Sequence, residues 1–291
     1  MGDIRCGVLV AVGPDGAGDG TLDFAVAEAQ RRETGVELLH VVHSLVVSAR
    51  EERIQAIDRS LTAVGRRVLS DVSARLRGRL VDRLPVSTQL LTGPVSATIV
   101  ERASDADLIV LERRDASKVD RLLTMSISTR VAARADRPVA VVPSAWRSDP
   151  TVELPVTVGV DRPLETLEQV ETAAGYARMA GRPLTVLHAV WIAEAYQDAI
   201  GLGRDREEWV REATTRVELD LATLTDRESV DLTTDVCWAR PVDALVAASQ
   251  ASSLLVLSRR GDGHVMRGAL GGITRAVLQH TRCPVLIVDR T

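Results

Sequence analysis

The chain has 291 residues, of which 45% are hydrophobic and only 2% aromatic, and its formal net charge is −4. This length and apolar content predict two domains whose cores are built from Val, Leu, Ile and Ala. The negative charge provides no general attraction to nucleic acid or to anionic lipid. No apolar run reaches the roughly 18–20 residues that cross a bilayer.

The first half alternates short apolar runs with amphipathic stretches. The runs predict five strands: Val8–Val12, Val36–Val42, Val86–Leu91, Leu108–Leu111 and Val139–Val142. The stretches between them predict four helices: Thr21–Glu33, Glu51–Arg77, Val95–Ala103 and Ser126–Ala135. Most runs are continuous rather than alternating, as is typical of strands buried on both faces of a parallel sheet.

The second half follows the same order. Its predicted strands are Val156–Val160, Leu184–Val190, Val230–Trp238, Leu254–Leu257 and Val285–Val288. Its predicted helices are Leu164–Ala180, Arg206–Thr225, Val242–Ala248 and Ile273–His280. Five strands with four intervening helices predict a doubly wound, Rossmann-like α/β domain in each half, with ligands at the carboxyl ends of the strands where the strand order reverses.

Sequence matches between the halves indicate that a whole domain is duplicated. His40 in Leu-Leu-His-Val-Val matches His188, 148 residues later, and Leu108 matches Leu254, 146 residues later. The predicted domains are residues 1–146 and 152–291, joined by a short connection at Trp146–Pro150. Trp146 is a candidate for the contact between domains, the alternative being a half-buried linker residue.

A glycine pair in the second half opens the last predicted helix. Gly271-Gly272 follow a loop that leaves the fourth strand, and a helix N-terminus offers free N–H groups to phosphate oxygens. Thr274 would add a hydroxyl, and Arg259 or Arg260 a cation. Residues 149–291 carry 21 acidic against 15 basic residues, so an anion site here must be local. The alternative is an ordinary Gly-rich loop before an ordinary helix.

These motifs resemble the universal stress protein family, whose nucleotide-binding members carry a Gly-x₂-Gly-x₉-Gly-Ser/Thr loop. Ser258, Gly261, Gly271 and Gly272 stand at the four loop positions, so two of the four match. Val160-Asp161 resembles the Val-Asp that ends the family's first strand, and Leu187-His188-Ala189 its Leu-His-Val. The nucleotide-binding residues that the resemblance implies are Val160, Asp161, Ala189, Ser258, Gly261, Gly271, Gly272, Ile273 and Thr274.

Several residues depart from the family's pattern. In the second half, Ser258, Gly272 and Arg240 replace expected residues, so nucleotide binding is predicted to be weakened or lost. In the first half, the loop positions become Glu112, Asp115, Met125 and Ser126, and Gly13 stands at the aspartate position. The first copy is therefore not expected to bind ATP in the family's manner. Its Gly13–Gly20 segment predicts a turn, with Asp19 or Thr21 capping the next helix. The alternative is a phosphate loop of another kind, although the segment fits neither G-x-G-x-x-G nor the P-loop pattern.

The histidines, cysteines and acids form no persuasive catalytic or metal constellation. His40 and His188 are expected in or near the cores, each with a hydrogen-bond partner. Asp161 and Asp262 are the acids near the expected phosphates, and solvation is the default for Asp262. The three cysteines fit neither a metal spacing nor a disulfide framework, and residues 1–5 do not resemble a signal peptide, which favours a cytoplasmic location.

The resemblance implies a tandem stress-related regulatory protein with its domains paired as a pseudo-dimer. Its second domain would bind an adenine nucleotide (ATP or AMP, with or without Mg²⁺), while the first acts as a structural partner. A homodimer is a further expectation, and neither nucleic acid nor membrane is expected as a partner. The alternatives are a nucleotide-free interaction protein and, third, a slow ATP hydrolase. Fold analogy alone does not decide among these functions.

Overall fold

The computed structural model describes residues 7–43, 51–80, 84–114, 127–149, 151–161, 167–192, 205–225, 227–259 and 268–289, with side chains of the 51–77 helix described from residue 57. The chain forms two compact units. The first comprises residues 1–148 with residues 267–269, and the second comprises residues 149–266 with residues 270–291.

The first unit contains five strands and four α-helices within the described residues. The strands are β1 (Val8–Ala11), β2 (Val36–Val42), β3 (Val86–Thr92), β4 (Leu108–Arg113) and β5 (Val139–Pro143). The helices are α1 (Asp19–Arg31), α2 (Glu51–Arg77), α3 (Val95–Arg102) and α4 (Ile127–Arg134), and a 3₁₀ turn spans Ala103–Asp105.

The second unit repeats this order. Its strands are β6 (Val156–Val160), β7 (Leu184–Val190), β8 (Leu232–Trp238), β9 (Leu254–Ser258) and β10 (Val285–Val288). Its described helices are α5 (Leu167–Ala180), α6 (Arg206–Leu221), α7 (Pro241–Ala248) and α8 (Gly272–His280), and a 3₁₀ turn spans Arg227–Ser229.

Both units confirm the predicted doubly wound α/β fold. In the first unit the strand order is β3-β2-β1-β4-β5, and in the second it is β8-β7-β6-β9-β10. All pairs within each unit are parallel. The order reverses beside β1 and beside β6, which are the topological switch points of the two sheets. The central strands are buried along most of their length, as the continuous apolar runs predicted.

Equivalent residues of the two units make equivalent contacts, which supports the duplication. His40 lies with its Nδ1 2.8 Å from the carbonyl oxygen of Val12. His188 lies with its Nδ1 3.0 Å from the carbonyl oxygen of Val160. His40 is buried and His188 half-buried. The prediction that both histidines lie in or near the cores and have hydrogen-bond partners is therefore confirmed.

The start of α1 differs from the prediction. The N-cap is Gly18, which makes no side-chain cap, so the expectation that Asp19 or Thr21 caps this helix is wrong. The preceding segment forms a tight turn in which the Gly16 N–H donates to Gly13 O at 3.0 Å. Gly16 has φ +90°, a left-handed conformation that disfavours any side chain with a Cβ.

Trp146 packs within the first unit. Its ring meets that of Phe24 edge-on, with ring centroids 6.2 Å apart and an interplanar angle of 78°. A Cβ at Gly20 would lie 2.1 Å from Trp146 O, so only glycine permits this approach. Within the described ranges, no helix combines the length and hydropathy that a membrane span requires.

Candidate functional site

A small cavity of about 70 Å³ opens at the carboxyl ends of β6, β7 and β9, at the switch point of the second unit. Ligands of open α/β sheets bind at this position. The cavity is lined by Gly159, Val160, Asp161, Leu187, Ala189, Pro241, Leu245, Leu257, Ser258, Ile273 and Thr274.

The floor of the cavity is apolar, and a missing Cβ helps to keep it open. Leu187, Leu245 and Leu257 contribute buried side chains to the lining. A Cβ at Gly159 would lie 2.6 Å from Leu245 Cδ2 and 2.9 Å from Leu257 Cδ2. Any larger residue at position 159 would therefore displace the leucines that shape this floor.

The strands separate where the cavity begins. Pairing between β6 and β9 runs from Val156 to Val158 on the β6 side and stops there. Beyond that point, the side-chain amide of Gln169 on α5 donates from Nε2 to the carbonyl oxygens of Gly159 at 3.0 Å and of Val256 at 3.3 Å. Gln169 is only 2% exposed. Its amide thus takes the place of backbone pairing and holds the separated strand ends in position.

The N-terminus of α8 forms the polar end of the cavity. Gly271 is the N-cap and Gly272 the first helical residue. The first α8 backbone bond runs from the Arg275 N–H to Gly271 O at 2.9 Å, so the preceding N–H groups have no intrahelical acceptor. Their partial positive charge suits an anion. A Cβ at Gly272 would meet no atom within 4 Å, so this end is open to larger side chains.

Two predicted phosphate contacts have other partners in this structure. Arg259, one of the two arginines expected as a phosphate cation, is 2% exposed and donates from Nε to Asp289 Oδ1 at 2.9 Å. A buried guanidinium needs such a pairing, because an unpaired buried charge is costly. The Thr274 hydroxyl donates to the carbonyl oxygen of Ser258 at 2.9 Å. Its proton is therefore already engaged.

The structure brings most of the predicted site residues together. Six of them line the cavity: Val160, Asp161, Ala189, Ser258, Ile273 and Thr274. Gly271 and Gly272 open α8 beside them. Gly261, like Arg260 and Asp262, lies outside the described residues. Sequence reasoning missed Gly159, Pro241, Leu245 and Leu257 as lining residues, although Pro241 begins a helix that follows a strand end.

The equivalent position in the first unit holds a carboxylate. Glu112 stands where the second unit has Ser258, and its Oε2 accepts the Gly18 N–H at 2.5 Å and the Thr21 hydroxyl at 2.9 Å. Thr21 on α1 and Gln169 on α5 occupy equivalent positions in the two units. The side chain of Glu112 is 14% exposed. The first unit thus places its own anion at the N-terminus of α1.

An arginine lies over the first unit's counterpart of Asp161. A Cβ at Gly13 would lie 2.5 Å from Arg114 Nη2. Arg114 forms an ion pair with Asp15 and lies 4.0 Å from Glu112. These ion pairs occupy the edge of the sheet that corresponds to the second unit's cavity. They support the expectation that the first copy lacks the family's manner of binding ATP.

Cys237 carries a thiol close to the site in the fold, since its strand position is in register with Ala189. Burial, and then the charge of Asp235, raise the pKa of its thiol above the ordinary value. The thiol therefore stays protonated near neutral pH, which is the unreactive form.

Comparison with known proteins gives the family. The model of the universal stress protein family matches residues 7–143 and again residues 154–289. A universal stress protein of Mycolicibacterium smegmatis is 26% identical over 296 residues, covering 97% of this chain and 96% of the relative. Another, of Mycobacterium tuberculosis, is 27% identical over 302 residues, covering 97% of both.

A solved structure has the same fold. The crystal structure of a universal stress protein from Archaeoglobus fulgidus has a TM-score of 0.66 and 16% identity, covering 97% of this chain and 96% of that one. Its likeness extends over both units rather than one. With the family match in each half, it follows that this chain belongs to the universal stress protein family and carries the family's domain twice.

Proposed function

We propose that this chain is a nucleotide-responsive regulatory protein of the stress response, acting in the cytoplasm. Its second domain, residues 152–291, binds an adenine nucleotide, ATP or AMP, with or without Mg²⁺. The first domain, residues 1–146, is its structural partner. The residues proposed to contact nucleotide are Val160, Asp161, Ala189, Ser258, Gly261, Gly271, Gly272, Ile273 and Thr274.

The observation that carries this proposal is the cavity at the second unit's switch point. Its apolar floor of Leu187, Leu245 and Leu257 suits a flat heterocycle. Its other end meets the α8 N-terminus, which suits phosphate. An apolar pocket with a few convergent polar groups is the usual form of a small-molecule site. The nucleotide loop of the family begins at Ser258, on this same rim.

Calorimetric titration of the full chain tests the proposal. ATP with Mg²⁺, and separately AMP, should each bind with a stoichiometry of one per chain. The same ligands should raise the free energy of unfolding, because they bind the folded state alone. Absence of both heat and stabilisation with either ligand would contradict the proposal.

A single variant separates phosphate binding from folding. Gly272→Asp places a carboxylate at the α8 N-terminus, where there is open space for a side chain. The charge should stabilise the helix by about 0.3–1 kcal/mol, because it complements the helix dipole. It should weaken ATP binding at least about tenfold, because two anions then share one site. Gly272→Asn is the matched neutral control and should retain binding. Unchanged ATP affinity in Gly272→Asp would place the phosphates elsewhere.

The second candidate is a nucleotide-free interaction protein of the same family. It is favoured because Arg259 and Thr274, two side chains predicted to donate hydrogen bonds to phosphate, donate to other residues of the protein instead. The titration decides between the two candidates, because this second function predicts no heat with any adenine nucleotide.

A further inference from the structure

An arginine and a tryptophan stack on each other in the second unit. The Arg240 Cζ lies 5.3 Å from the centroid of the Trp191 ring, within the range of a cation–π contact. Trp191 is 42% exposed, although large apolar side chains in this chain are mostly buried. No ion pair joins Arg240 to another described residue. Arg240 is itself exposed, so the pair presents a planar surface and a cation to solvent.

The fold places this pair at the rim of the cavity. Leu187 and Ala189 both line the cavity, and Trp191 follows two residues further on, directly after the end of β7. Arg240 is the N-cap of α7 and directly precedes Pro241, another lining residue. The Ala239 N–H donates to Val190 O at 3.1 Å, which ties the two chain segments together. The stack thus stands beside the apolar end of the cavity.

The pair belongs to the second copy alone. The first copy has His43 and Gly93 at the equivalent positions. Arg240 adopts an ordinary extended backbone, with φ −62° and ψ 133°, so its side chain causes no strain there. Because Arg259 is buried against Asp289, Arg240 is a cation at this rim that remains available to a ligand.

We infer that Trp191 and Arg240 form a clamp for the base of a bound purine nucleotide. This inference rests on the proposed function. The indole supplies a stacking surface, and the guanidinium extends that surface and donates to ring nitrogens. Base–aromatic stacking and arginine stacking both act on the π-face of the heterocycle. The clamp contacts the adenine base, which adenosine, AMP and ATP share. Its contribution to affinity is therefore independent of the number of phosphates.

A second stack provides a matched control. The Arg206 Cζ lies 5.6 Å from the centroid of the Trp238 ring. Trp238 is in register with Val190, next to Ala189, so its side chain points to the opposite face of the sheet from the cavity. Arg206→Ala therefore removes the same kind of contact without touching the cavity.

Titrations of the full chain with adenosine, AMP and ATP test the clamp. Trp191→Leu and Arg240→Ala should each weaken all three ligands by the same factor, roughly fivefold to a hundredfold. Arg206→Ala should bind as the parent does. Trp191→Phe keeps a stacking ring and should retain most of the affinity. Adenosine should quench tryptophan emission in the parent, and this quenching should disappear in Trp191→Phe.

The outcomes separate this inference from the function on which it rests. Unchanged affinities in both Trp191→Leu and Arg240→Ala, with a parent that binds, would overturn the clamp and leave the proposed function intact. A loss confined to ATP would also overturn it, because Arg240 would then contact phosphate. A parent that binds none of the three ligands would overturn the proposed function and the clamp together. Trp191→Phe shows whether the loss in Trp191→Leu comes from the ring or from misfolding.

Discussion

The two copies differ in single residues at the carboxyl ends of equivalent strands. Glu112 in the first copy binds the start of α1, whereas the equivalent Ser258 in the second leaves a cavity. Gly13 lies beneath Arg114, whereas the equivalent Asp161 lines the cavity. The same fold thus carries an internal anion in one copy and space for an external ligand in the other.

Restoring the family's residues should strengthen nucleotide binding. Ser258→Gly together with Gly272→Ser should tighten ATP binding by at least about tenfold in calorimetry. A hydrogen bond to a charged group contributes on the order of 1.5–3 kcal/mol, and glycine lets the backbone approach phosphate. The serine at position 272 has open space, because a Cβ there meets no atom within 4 Å.

The control for this pair is Ser258→Gly together with Gly272→Ala, which adds the Cβ without the hydroxyl. It should gain less affinity than the serine version. Equal affinity in the parent and the serine version would show that the loop no longer has a shape that fits phosphate.

Removing the carboxylate of the first copy should destabilise the protein. Glu112→Ala leaves the Gly18 N–H and the Thr21 hydroxyl without their acceptor, at a cost of about 1–3 kcal/mol. Urea unfolding followed by circular dichroism measures this loss. Glu171→Ala, an exposed residue on α5, is the control and should change stability by less than about 0.5 kcal/mol. Equal stability of the two variants would show that these two hydrogen bonds do not stabilise the fold.

At the scale of elements, the copies differ in how far their central strands pair. Pairing of β1 with β4 runs from Val8 to Ala11, whereas pairing of β6 with β9 ends at Val158. The amide of Gln169 takes over where that ladder stops. The switch point of the second unit is open because pairing of β6 with β9 ends early. The side chain of Gln169 connects the two strands beyond that point.

Gln169→Glu tests this bridge with almost no change of shape. The substitution replaces the Nε2 donor with an oxygen that faces two carbonyl oxygens. The loss should exceed about 2 kcal/mol, because buried acceptors then lack a donor and a charge is buried. Equilibrium unfolding in urea measures it, with Glu168→Gln on the exposed side of α5 as control. Stability equal to that of the parent would show that the amide does not hold the strand ends.

At the scale of the whole molecule, two units of one fold are expected to respond differently to nucleotide. Hydrogen exchange with and without ATP should show protection in peptides from β6, β9 and the first turn of α8. Equivalent peptides from β1, β4 and α4 should be unchanged, since Glu112 and Arg114 already interact at that edge. Protection of both units, or of the first alone, would contradict the assignment.

Most of the fold was predictable because it depends on local patterns. All ten predicted strands are present, and their ends differ by at most two residues. Buried parallel strands appear as continuous apolar runs, and duplication makes each half a check on the other. The site was predictable only in outline, because sequence register gives its position but not the partners of its side chains.

The sequence by itself determined the duplication, the α/β fold and the strand ends at which a ligand site would lie. The tertiary structure decided which side chains serve that site. Arg259 binds Asp289, 30 residues away, Gln169 reaches Val256, 87 residues away, and Glu112 reaches Gly18, 94 residues away. Such contacts depend on how strand ends and helix starts meet in space, because a buried charge or amide takes the partner that folding places beside it.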